Sequence, residues 1–89
     1  NGVSMIARFS GKGEWQSTEM EMDYDDLPED VIDGFAKSKY DDWEIKETVK
    51  VERFSKPLQY RLLVKKSGVQ KKYLYFNADG KLEREALTL

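Results

Sequence analysis

Only one stretch of this chain places its apolar residues at helical spacing, and almost everywhere else they recur at every second position. Leu27, Val31 and Phe35, with Ile32 and Ala36 beside them, form a stripe at i, i+4, i+8, while Glu29, Asp30, Asp33 and Lys37 take the opposite side. Asp26 followed by Glu29 has the spacing of a capping box, and Pro28 fits a first helical turn. A helix is therefore expected from about Pro28 to Lys39 or Tyr40, despite Gly34, which weakens a helix interior by about 1 kcal/mol.

The flanking segments read as strands. Residues 3–9 lead into Ser10-Gly11-Lys12-Gly13, a turn, and Trp15 to Met22 returns with Gln16, Thr18, Met20 and Met22 on the face expected to point inward. From Trp43 the period is two: Trp43, Ile45, Val49 and Val51 on one face, Glu44, Lys46, Thr48, Lys50 and Glu52 on the other. Ser55-Lys56-Pro57 interrupts, and Leu58 to Val64 resumes. Lys66-Ser67-Gly68 turns, Val69 to Phe76 forms the next strand, and Asn77-Ala78-Asp79-Gly80 closes a hairpin. Lys81 to Leu89 fits a last strand, carried by Leu82, Ala86, Leu87 and Leu89, better than a helical turn. The order β-β-α-β-β-β, with a further β at the end, predicts an α+β fold. One helix packs on an antiparallel sheet of four to six strands, because connections this short join antiparallel neighbours. With 89 residues there is one domain, spanning 1–89, and one core. One helix cannot cover both faces of such a sheet, so the second face is solvated, self-associated or used for binding.

Several function classes drop out. The chain has no Cys and no His, which removes the thiolate nucleophile, the usual neutral-pH base and nearly every zinc, copper or haem site. The acids Asp23, Asp25, Asp26, Glu29 and Asp30 suggest calcium, but a loop begun at Asp23 puts Leu27 where a ligand belongs, Pro28 at the glycine position and Gly34 at the twelfth. Gly11-Lys12-Gly13 is too short for a phosphate loop. No catalytic residue, cofactor or metal site is expected. No apolar run approaches the roughly 20 residues of a membrane-spanning helix. Residues 1–44 carry 12 acids against 4 bases, net −8, and residues 45–89 carry 5 against 11, net +6. Lys65, Lys66, Lys71 and Lys72 could flank a hairpin, but the whole domain is acidic at −2, so nucleic acid is not the expected partner.

The aromatics carry more information. Trp15, Trp43, Tyr60, Tyr73 and Tyr75 are candidate anchors on the uncovered sheet face, with Tyr73 and Tyr75 sharing one face of their strand and Leu74 and Phe76 the other. The plainer alternative, β-forming residues that cover the core or the sheet edge, explains them equally well.

The run Gly13-x-Trp15, Leu27-Pro28-x-x-Val31-x-x-x-Phe35, Tyr40-x-x-Trp43-x-Ile45, Tyr60-x-Leu62-x-Val64 and Leu74-x-Phe76-x-x-x-Gly80-x-Leu82 resembles the putative beta-lactamase-inhibitor-like, PepSY-like family of small exported bacterial proteins. These are structural positions over nearly the whole chain, and the family's pattern supplies no catalytic residue. The resemblance implies one or two copies of a helix-on-sheet unit, of which this chain would hold one, and a non-enzymatic, periplasmic or extracellular module that binds or inhibits another protein. The sequence opens Asn1-Gly2-Val3-Ser4 ahead of Met5, as a form lacking its leader would, and shows no export signal itself. A small-ligand or carbohydrate sensor using the same aromatics is the alternative; a concave pocket would favour it.

Overall fold

The computed structural model describes residues 4–88, so Val3 and Leu89, expected at strand ends, lie outside the described residues. Six strands run β1 (Met5–Phe9), β2 (Trp15–Glu21), β3 (Glu44–Arg53), β4 (Gln59–Lys66), β5 (Gln70–Asn77) and β6 (Leu82–Leu87), with α1 (Glu29–Ala36) between β2 and β3. They form one antiparallel meander in chain order, as expected for two-residue periodicity joined by short turns. The final segment is a strand, and the fold is α+β.

α1 is shorter than its periodicity suggested and starts differently. Tyr24–Asp26 forms a separate 3-10 turn, which draws Asp26 away from the capping position. Pro28 itself caps α1, and no side chain does. Its missing N–H costs nothing there, since the first helical N–H groups have no intrahelical acceptor. The helix ends at Ala36, where Lys37 N–H bonds to Asp33 O and Ser38 folds back, its hydroxyl donating to Phe35 O at 2.7 Å.

Leu27, Val31, Phe35 and Tyr40 pack onto Tyr60, Leu62 and Val64 of β4 and Leu74 and Phe76 of β5, with Leu82, Ile45 and Met22 at the margin. Each such apolar side chain contributes about 1.5–3 kcal/mol on burial. Tyr24 stands edge-on to Phe35 at 6.1 Å, closing the top of this core. Gly34 has a packing reason: a β-carbon there would overlap the Gly80 carbonyl oxygen, and one on Gly80 would overlap the Asp30 carbonyl. Helix and β5–β6 turn thus meet backbone to backbone, which only glycine permits.

In β3 the expected faces are corrected. Register shifts between Ile45 and Glu47, so Ile45 pairs with Val64 while Thr48 pairs with Leu62. The bulge puts Thr48, 3% exposed, on the helix side together with Ile45 and sends Val49 and Val51 to the opposite face. Met20 and Met22 lie half-buried on the helix side, as the alternation of β2 implied. Because α1 stands over β4 and β5, the helix-side face of β1 and β2 is left uncovered.

Candidate functional site

The side of the sheet away from α1 is built by strand alternation. Pairing places Val49 opposite Arg61, Arg61 opposite Tyr75 and Tyr75 opposite Arg84, so one row crosses four strands. A second row joins Glu47, Leu63, Tyr73 and Ala86. Arg53 and Glu19 complete the surface from β3 and β2.

Val49, Val51 and Tyr75 are buried, at 5%, 1% and 7%, although no helix lies over them. Arginine side chains lie over the tyrosines of this face, as long charged side chains do where their aliphatic stems cover apolar surface. The Arg84 guanidinium sits 4.5 Å from the Tyr75 ring centre, Arg53 lies 5.9 Å from the same ring, and Arg61 is 5.1 Å from Tyr73. Arg53 Nη1 donates to Gln59 Oε1 at 2.6 Å, and Gln59 Nε2 donates to Glu83 Oε1 at 2.9 Å.

Arg61 is the centre of the charge pattern. Its Nη2 donates to Glu19 Oε1 at 3.2 Å and lies 3.8 Å from Glu47 Oε1. Burial alone would lower its pKa, but the hydrogen bond and charge of Glu19, with a further contribution from Tyr75, raise it, so the guanidinium is firmly cationic. Its Nε is buried without a partner, which costs about 1–3 kcal/mol for such a donor. The face therefore alternates sign over a few ångströms: carboxylates at Glu19 and Glu47, then Arg61 over the Tyr73 ring, then Arg53 and Arg84 over the Tyr75 ring.

The five expected anchors do not assemble. Tyr73 and Tyr75 lie together on this face. Tyr60 is corrected to a core residue: it is 6% exposed beneath α1 and pairs with Phe76, because it shares strand parity with Leu62 and Val64. Trp43 packs at the core margin, edge-on to Tyr40 at 5.1 Å. Trp15 opens β2, where its indole N–H donates to Thr18 Oγ1 at 2.7 Å beside the exposed Phe54. The arginines are the residues of this face that single-strand reading missed. Their signal, Arg61 and Arg84 directly opposite Tyr75, emerges only once the strands are paired.

At the far end of the helix side, Tyr40, 2% exposed, sends its hydroxyl to the sheet edge, where it donates to Glu85 and accepts from Lys72 Nζ at 3.0 Å. The hydrogen bond from Tyr40, then that from Lys72, holds the Glu85 carboxyl below its ordinary pKa. A recess of about 530 Å3 lies away from Tyr73 and Tyr75, lined by Met20, Met22, Ile45 and Thr48 together with Asp23, Tyr24 and Asp26. Among the described residues no cluster of His, Cys, Asp or Glu is placed to hold a metal, and no helix is long and apolar enough to cross a membrane.

A helix on one side of an antiparallel meander, with a charged and aromatic opposite side, defines a class of helix-on-sheet modules, and the family follows from comparison. Residues 1–84 match the family described as putative beta-lactamase-inhibitor-like, PepSY-like, and the chain belongs to that family. The fold is similar to that of a BLIP-like protein from Bacteroides fragilis NCTC 9343, at 27% identity and TM-score 0.90, covering 99% of this chain and 62% of that one. It is also similar to a protein from Bacteroides eggerthii DSM 20697 described as a putative periplasmic protein, at 21% identity and TM-score 0.91, covering 98% of this chain and 64% of that one. The chain thus spans less than two thirds of the length of either solved relative. No curated protein sequence matches it.

Proposed function

We propose that this domain is a non-enzymatic, exported module that binds another protein, in the manner of an inhibitor, through the sheet face opposite α1. The observation that carries this reading is the placement of Arg53, Arg61 and Arg84 against Tyr73 and Tyr75 on the side no helix covers. Tyr and Arg are the residue types that dominate interface energetics, and here they are held in place by stacking and hydrogen bonds, which lowers the ordering cost on association. The alternation with Glu19 and Glu47 gives the face a sign pattern by which a partner can be selected and oriented. The name of the Bacteroides fragilis relative supports an inhibitor-like role, and the description of the Bacteroides eggerthii protein supports a periplasmic location.

Stacking on a sugar would need open aromatic ring faces, and the arginines occupy those of Tyr73 and Tyr75; this favours a protein partner over a carbohydrate. The test is capture from periplasmic extract with the immobilised domain, identifying what is retained by wild type and lost with the Tyr73→Ala, Arg84→Ala double variant. Retention of the same proteins by both forms would count against the open face.

A further inference from the structure

The chain has three methionines, and the fold brings all of them together on the helix side of the sheet. Met5 of β1 pairs directly with Met20 of β2. Glu21 N–H donates to Ser4 O at 2.8 Å, which places the ladder hydrogen bonds at Ser4 and Glu21 and makes Met5 and Met20 the non-hydrogen-bonded pair beside them. In such a pair both side chains leave the same face, with β-carbons about 4.5–5.5 Å apart. Met22 follows Met20 by two residues. Its N–H donates to Thr48 O at 2.9 Å, which carries the β2–β3 ladder past Glu21 and keeps Met22 on the face of Met20. Methionine has three rotatable side-chain bonds, and that reach is enough to draw three sulfurs together across these separations.

Core filling explains only part of the cluster. Met22 packs on the margin of the core, but Met20 is half-buried at the side of the recess and Met5 is 62% exposed, so the group stays accessible from solvent. Three neutral thioethers on adjoining strands are also a donor set with a defined preference. Thioether sulfur is soft and selects monovalent copper, whereas calcium takes oxygen ligands and zinc takes thiolate, imidazole or carboxylate. With no Cys and no His in the chain, the thioethers are its soft donors.

The surrounding charge agrees. Asp23, Asp26 and Lys46 line the recess, and Lys50 stands opposite Met20. Glu21 and Glu47 also line it, but by alternation they belong to the other face, where Glu47 lies 3.8 Å from Arg61. Two acids and two lysines on the methionine side offset one another. Neutral ligands in such surroundings compensate little of a bound ion's charge, which suits a monovalent ion better than a divalent one. From this convergence we infer that Met5, Met20 and Met22 form a binding site for Cu(I), held by three thioether sulfurs at the β1–β2 pair. The site lies on the opposite side of the sheet from Tyr73 and Tyr75 and is independent of the open-face reading.

The probe is Ag(I), which shares the closed shell and soft-ligand preference of Cu(I) and keeps its oxidation state in air. It is added as the nitrate, in chloride-free buffer, to the chain labelled with carbon-13 at the methionine methyls. One equivalent should saturate all three methyl resonances together. Met5→Leu and Met20→Leu should each weaken uptake at least roughly tenfold, the scale on which metal sites respond even to loss of an outer-shell partner. Leucine keeps the apolar volume, so a melting temperature near that of wild type checks that both variants are folded. Thioethers do not titrate, so the affinity should hold as pH falls toward the carboxylate range. Absence of silver uptake overturns the inference. So do methyl resonances that shift at separate silver concentrations, an affinity that survives both replacements, or uptake that fails as Asp23 and Asp26 are protonated.

Discussion

Replacing Gly34 by alanine should destabilise this protein, against the ordinary rule for a helix interior. On propensity alone the change favours the helix by about 1 kcal/mol. Here the added methyl would overlap the Gly80 carbonyl oxygen, which belongs to a rigid turn and not to a side chain that can swing away. Relief requires α1 to lift from the sheet, which loosens Val31 and Phe35, 0% and 6% exposed in the native packing. Overpacking costs typically about 1–3 kcal/mol, and partial exposure of two side chains worth about 1.5–3 kcal/mol each adds to it. A net loss of about 2 kcal/mol follows after subtracting the propensity gain. For a domain of this size that is a drop of roughly 8–16 °C in melting temperature. Urea unfolding followed by circular dichroism measures it directly, with Ala36→Gly at the exposed end of α1 as a propensity-only control, expected to cost no more than about 1 kcal/mol. A Gly34→Ala protein as stable as wild type, or more so, would refute the backbone contact between α1 and the β5–β6 turn.

Three other outcomes are expected. Phe35→Ala should cost about 3–5 kcal/mol in urea unfolding, as truncation of a large core side chain does, and an unchanged midpoint would remove Phe35 from the core. The carboxyl of Glu85 is held below its ordinary value of 4.5, so its contribution is fully present above that pH and is lost as pH falls through the lower folded value; Tyr40→Phe should flatten this acid limb of stability, and parallel curves would deny the linkage. Calorimetric titration with calcium or zinc near neutral pH should show no stoichiometric uptake, because Asp25 and Asp26 belong to the 3-10 turn that leads into α1, and one tight metal per chain would contradict this.

Fold class was legible because periodicity is local: the helical stripe at Leu27, Val31 and Phe35 stands apart from the alternating segments around it, and turn residues separate the strands. What failed was information held between strands. Ile45, Val49 and Val51 share parity, so a continuous strand puts them on one face, and nothing within β3 announces the bulge that separates them. Tyr60 was recoverable, since its own strand places it with Leu62 and Val64 against Arg61 and Lys65. The site was half legible: Tyr73 and Tyr75 follow from alternation, but Arg53, Arg61 and Arg84 acquire meaning only from the register that sets them over those rings.

The open face is tested most directly by the affinity of a partner recovered from periplasmic extract for single, folded variants. Tyr73→Ala and Arg84→Ala should each weaken binding at least roughly tenfold, about 1.4 kcal/mol, while Trp15→Ala and Trp43→Ala, away from that face, should change it less than about twofold. Undiminished affinity in both open-face variants, with circular dichroism and melting temperature preserved, would contradict the account.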